Sequence, residues 1–143
     1  MTSWLLDTGP LVGYLNAADP AHQDVGDALD GFSGQLCTTG AVITEAMHFV
    51  GGSPSGPRLL AEFVTTARIR VFDFAQPAAL RRCATLMEKY ADTPMDYADA
   101  TLVLLAERVN CFDILTLDRR GFSTYRSAES HGFRLVLDSG LTQ

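Results

Sequence analysis

At 143 residues, with 17 acidic against 11 basic side chains and 47% hydrophobic residues, the chain has the length and apolar mass of one compact domain, residues 1–143. A net charge of −6 excludes a protein that coats nucleic acid by bulk electrostatics, though not one whose acids are neutralised by bound cations. The composition also excludes a disordered or collagen-like chain.

Trp4-Leu5-Leu6 predicts a first buried strand that ends at Asp7. Leu11 to Leu15 follows Pro10, a residue favoured in a first helical turn, and Asp19-Pro20 stops that helix. A second helix is expected over Ala21–Leu29 and a short strand over Leu36–Thr38. Ala41–Val50 is helical by period and closes on Gly51-Gly52. Beyond the loop of residues 51–57, Arg58–Ala67 predicts a helix and Ile69–Phe72 a strand. Ala78–Tyr90 predicts a long helix, broken at Asp92-Thr93-Pro94, and Asp96–Val109 an apolar, internal one. Ile114–Leu117 and Arg134–Leu137 complete the strands, with a solvated turn at Arg119-Arg120. Strands without polar alternation, separated by helical crossovers, predict an α/β fold with a mainly parallel sheet covered on both faces.

Cys37, Cys83 and Cys111 form no C-x-x-C pair, so reduced structural thiols are expected. The first residues lack the basic region and long apolar core of a signal peptide, and no apolar run reaches the ~18 residues of a membrane span. A cytoplasmic protein without a membrane partner is the expectation.

In open parallel sheets, ligands bind beyond the carboxyl ends of the strands. Asp7 and Asp118 each directly follow a predicted strand, as ligand-binding acids or as turn residues and helix N-caps. Glu45 stands in an otherwise almost wholly apolar helix, where a carboxylate is costly unless it reaches solvent, pairs or binds a metal. His48 shares its face, but a single Glu-x-x-His does not make a di-iron bundle site and reads as a core or rim histidine. Asp96 and Asp99 open the apolar helix three residues apart. Asp96 suits an N-cap, whereas Asp99 heads a stretch that asks for burial. Carboxylates gathered without cations repel one another, and hard dications relieve this. Mg²⁺ and Mn²⁺ prefer oxygen ligands, and two such ions can cleave a phosphodiester.

Leu5-Leu6-Asp7-Thr8-Gly9-Pro10-Leu11-Val12, Thr44-Glu45, Asp96-Tyr97-Ala98-Asp99-Ala100 and Leu115-Thr116-Leu117-Asp118-Arg119-Arg120-Gly121-Phe122 follow one another in a familiar order. Over nearly its whole length the chain resembles the PIN-domain family, most closely the VapC-type toxins of toxin–antitoxin pairs. The resemblance implies a three-layer α/β/α sandwich with a central sheet of four to five strands. It implies an Mg²⁺- or Mn²⁺-dependent endoribonuclease using one or two ions, a homodimer, an RNA substrate and an antitoxin partner. It assigns Asp7, Glu45, Asp99 and Asp118 to the metal-binding catalytic acids and Asp96 to support. Thr8 and Thr116 match hydroxyl positions near the metals, and Arg119 a position able to touch phosphate. Gly9-Pro10 departs from a pattern that often carries Ser there.

Three other readings compete. Asp7-Thr8-Gly9 resembles the aspartic-protease motif, but that fold is almost all β and the predicted helices oppose it. A phosphatase of the haloacid-dehalogenase kind wants a second Asp where Gly9 stands and a lysine that only Lys89 could supply. A non-catalytic interaction module would keep the fold without the chemistry, yet every matching acid is present.

Overall fold

Leu5, Leu6, Ile114 and Leu115 have no accessible surface, as a strand covered on both faces requires. In the computed structural model, which describes residues 1–141 with side chains through Asp138, these residues form the centre of a five-stranded parallel sheet. Its strands are β1 (Ser3–Leu6), β2 (Gln35–Thr39), β3 (Arg70–Phe72), β4 (Asp113–Leu115) and β5 (Arg134–Leu135). They stand in the order β3-β2-β1-β4-β5. Leu5 is in register with Cys37 on one side, and Leu6 with Leu115 on the other.

The helices among the described residues are α1 (Thr8–Leu15), α2 (His22–Asp30), α3 (Gly40–Val50), α4 (Gly56–Thr66), α5 (Pro77–Lys89), α6 (Tyr97–Val109), α7 (Arg119–Thr124) and α8 (Val136–Leu141). Together with the sheet they make the expected three-layer α/β/α sandwich. Helix α6 is the internal one: Ala98 and every residue from Ala100 to Ala106 are buried, and it packs on β1, β2, α3 and α5. Asn110, with φ of 51°, ends it in a left-handed turn.

Chain order places β2 and β3 to one side of β1, and β4 and β5 to the other. Crossovers leaving in opposite directions open a crevice above the carboxyl ends of β1 and β4. Asp7 lies at that point, its N–H donating to the Leu115 carbonyl at 3.1 Å.

Three segments differ from expectation. Strand β4 stops at Leu115, because Thr116 leaves the ladder to serve the site. Arg119 and Arg120 open helix α7 instead of lying in a turn, with Asp118 as its N-cap. The expected strand over Arg134–Leu137 pairs only through Leu135, and Val136 begins α8. Four residues, three of them apolar, are too few for periodicity to separate strand from helix.

Candidate active site

Asp7 is the N-cap of α1, and its Oδ1 accepts from the Thr8 N–H at 2.8 Å. Its Oδ2 accepts from Thr116 Oγ1 at 2.7 Å, and Thr116 Oγ1 in turn accepts from the Asp118 N–H at 3.0 Å. Asp118 caps α7, its Oδ1 accepting from the Gly121 N–H at 2.9 Å. A side chain at Gly121 would collide with the other Asp118 oxygen, so the compact α7 turn requires glycine.

Asp96 and Asp99 form a reciprocal capping box on α6. Asp96 Oδ1 accepts from the Asp99 N–H at 2.8 Å, and Asp99 Oδ2 accepts from the Asp96 N–H at 3.1 Å. One carboxylate oxygen of each residue is thereby fixed, and the other has no hydrogen-bond partner among the described residues. Below them, Thr39 and Thr101 share a buried hydroxyl contact of 2.8 Å that ties β2 to α6. Thr38 Oγ1 donates to the Leu6 carbonyl at 2.7 Å. Buried hydroxyls therefore set the height of the acids above the sheet.

Asp7, Glu45, Asp96, Asp99 and Asp118 all line one cleft of about 620 Å³, together with Thr8 and Asp19. No Lys or Arg lines it among the described residues. Burial pushes the Asp7 carboxyl up to about 6, against the hydrogen bonds from Thr116 and Thr8 and with the charges of Asp96 and Asp118 adding to the rise. Burial, followed by the charges of Asp96 and Asp7, pushes Asp99 up to about 8. Thr8 Oγ1 is buried in the same place without a hydrogen-bond partner.

The donor set fits a hard cation. Every donor is an oxygen, the charge is uniformly negative, and a buried hydroxyl is left without a partner. Among the described residues no three Asp, Glu, His or Cys side chains close into a ready chelating cage. The acids line cleft walls instead, an arrangement suited to an ion that keeps several of its waters.

No family model matches the chain. Ribonuclease VapC26 of Mycobacterium tuberculosis is 31% identical over 137 residues, spanning 92% of this chain and 98% of the relative. The chain belongs to the VapC family of PIN-domain toxin ribonucleases. The crystal structure of Mycobacterium tuberculosis VapC20, a sarcin–ricin loop cleaving toxin, matches with a TM-score of 0.71. That match covers 87% of this chain and 96% of the other at 12% identity, and so bears on the fold alone.

The chain gathers all four expected acids in one cleft, with Asp96 as both N-cap and cleft wall. Thr116 contacts Asp7 directly. Arg119 does not line the cleft; its Nε pairs with Asp138 at 2.9 Å on the exposed surface. His48 is exposed at a neighbouring hollow that it shares with Glu45, Asp96 and Tyr97, and is not a core residue. Cys37 and Cys83 are buried thiols and Cys111 is half-buried.

Sequence reasoning missed Asp19, Phe49 and Leu117 of the cleft wall, and also Tyr125. Tyr125 is fully buried, and its hydroxyl donates to the Pro94 carbonyl at 2.8 Å, linking α7 to the loop before α6. The only available signal for Asp19 was its Asp-Pro pair, which reads equally well as a helix stop.

Proposed function

We propose that this chain is a Mg²⁺- or Mn²⁺-dependent endoribonuclease that hydrolyses RNA phosphodiesters as the toxin of a toxin–antitoxin pair. One observation carries the reading: a buried Asp7 stands among further carboxylates in a cleft that, among the described residues, no basic side chain lines. Such a cluster is a poor host for an RNA phosphate until cations are bound.

Asp7, Glu45, Asp99 and Asp118 are the residues that would hold one or two ions, with Asp96 in support. Such ions would offset the carboxylate charge and supply the Lewis acidity that activates a water and stabilises the leaving oxygen of a phosphodiester. The chain's own contribution is orientation. Thr116 and the Thr8 N–H hold both Asp7 oxygens, the capping box holds Asp96 and Asp99, and the α7 turn holds Asp118. Burial and the neighbouring carboxylates push Asp99 towards its protonated form, and a bound cation would favour the ionised one. Hydrolysis makes a new P–O bond from water and breaks the bond to a ribose oxygen, which leaves with a proton.

Family membership supports an RNA substrate and an antitoxin partner. A homodimer in the cytoplasm completes the proposal, and no helix among the described residues is long and apolar enough to cross a membrane. The test is cleavage of RNA in Mg²⁺ or Mn²⁺, compared with EDTA and with Asp7→Asn. The reading requires both controls to abolish cleavage. Cleavage that survives them would assign the activity to another site or a contaminant.

A further inference from the structure

Helix α3 carries Glu45 and Phe49 four residues apart, on one face. Both line the acidic cleft, with Phe49 one turn beyond Glu45. Phe49 is 62% exposed, and His48 meets its ring edge-on at 5.7 Å between ring centroids. Leu117 lines the same cleft and is 42% exposed. An apolar rim thus adjoins a wall of carboxylates.

The charge pattern says what such a rim can hold. Among the described residues no Lys or Arg lines the cleft, so a phosphate flanking the scissile one meets no ion-pair partner there. Within the cleft, grip on a neighbouring nucleotide falls to uncharged contact. Every base offers a π-face, and a single strand leaves that face free to stack on an aromatic ring.

We propose that Phe49 is the stacking platform for a nucleobase of single-stranded RNA, next to the phosphodiester that the acids receive. The inference rests on the ribonuclease reading above and deepens it from RNA in general to an unpaired segment with a splayed base. The same ring could serve a protein partner, but its place in the cleft wall, one turn from Glu45, favours the substrate.

The test uses the full chain, an unstructured oligoribonucleotide and Mn²⁺. Steady-state cleavage is measured for wild type, Phe49→Ala, Phe49→Leu and Phe49→Trp, with circular dichroism to check folding. Phe49→Ala is expected to raise KM about tenfold with a far smaller change in kcat, in line with the loss of one base stack. Phe49→Leu keeps the apolar bulk but not the ring and should stay weak, whereas Phe49→Trp should recover. Trp fluorescence of Phe49→Trp, corrected for Trp4, should be quenched saturably by the RNA. Unchanged KM in Phe49→Ala, on RNA that the wild type cleaves, would overturn the proposal and leave the ribonuclease reading intact. Recovery by Leu as good as by Trp would also overturn it, marking an apolar contact with the RNA that needs no aromatic ring. Saturable quenching without cleavage by any variant would keep the stacking site and sink the ribonuclease reading; absence of both would sink the two together.

Discussion

Thr116 Oγ1 donates to Asp7 Oδ2 at 2.7 Å, across the seam between β4 and β1. This bond joins the two strand ends that flank the crevice, and the same hydroxyl accepts from the Asp118 N–H. One threonine therefore orients two of the site acids. Thr116→Val keeps the shape and removes both contacts. The expected result is a 10- to 100-fold loss of metal affinity or activity, the usual range for a residue that orients a metal-binding side chain. Stability should fall by about 1.5–3 kcal/mol where Asp7 is ionised. Isothermal titration with Mn²⁺ and a denaturant melt measure the two effects separately.

Tyr125 should act at longer range. Its hydroxyl holds the Pro94 carbonyl, and its ring lies edge-on against Tyr90 and Phe122. The residue braces the α7 cap, where Asp118 sits, against the lead-in to Asp96 and Asp99. Tyr125→Phe preserves the packing and is expected to cost about 1 kcal/mol of stability. Cleavage should drop on the order of tenfold, because small misplacements of reacting groups are costly. A melt paired with kcat measurement checks this, and an unchanged kcat would reduce Tyr125 to a packing residue.

Gly121→Ala puts a methyl group against the Asp118 carboxylate and the Tyr125 ring. Either the α7 turn opens or Asp118 rotates. A loss of about 1–3 kcal/mol is expected from the overpacking, with activity falling further than stability alone explains. Thermal melting and a cleavage assay on the same preparation test this.

Raised carboxyl groups make the metal-free protein sensitive to base. Folded Asp7 and Asp99 titrate near 6 and 8, against 3.8 for the ordinary carboxyl. Between about pH 4 and 8 the folded state therefore binds more protons than the unfolded one, and stability falls as pH rises through that window. The Asp7 shift alone corresponds to roughly 3 kcal/mol. Urea melts without metal should show this decline, and Asp99→Asn should flatten its upper part. Mn²⁺ should restore more stability at pH 8 than at pH 5, because at the lower pH it must displace protons.

Much of the site was legible because each acid interrupts a strong local pattern. Asp7 ends an apolar strand, Asp118 follows another, Glu45 breaks an apolar helix, and Asp99 heads a buried one. Strand neighbours could be inferred only as a class, so the pairing of β1 with β4 that brings Asp7 to Asp118 needed the fold. Helix α7 was illegible because six residues, with two arginines and a glycine, carry no amphipathic period. Val136 and Leu137 read as strand, since a short apolar run fits either structure. Phe49 looked like one more apolar residue of α3; its exposure is decided by what α3 packs against, which the local sequence does not encode.

Calorimetric titration of the metal-free protein with Mn²⁺ at pH 8, alongside Asp7→Asn, Glu45→Gln, Asp99→Asn and Asp118→Asn, tests the proposed cation site most directly. Saturable binding in the wild type that weakens at least tenfold in each variant is the expected result. Mn²⁺ binding that ignores all four substitutions, or no binding at all, would contradict it.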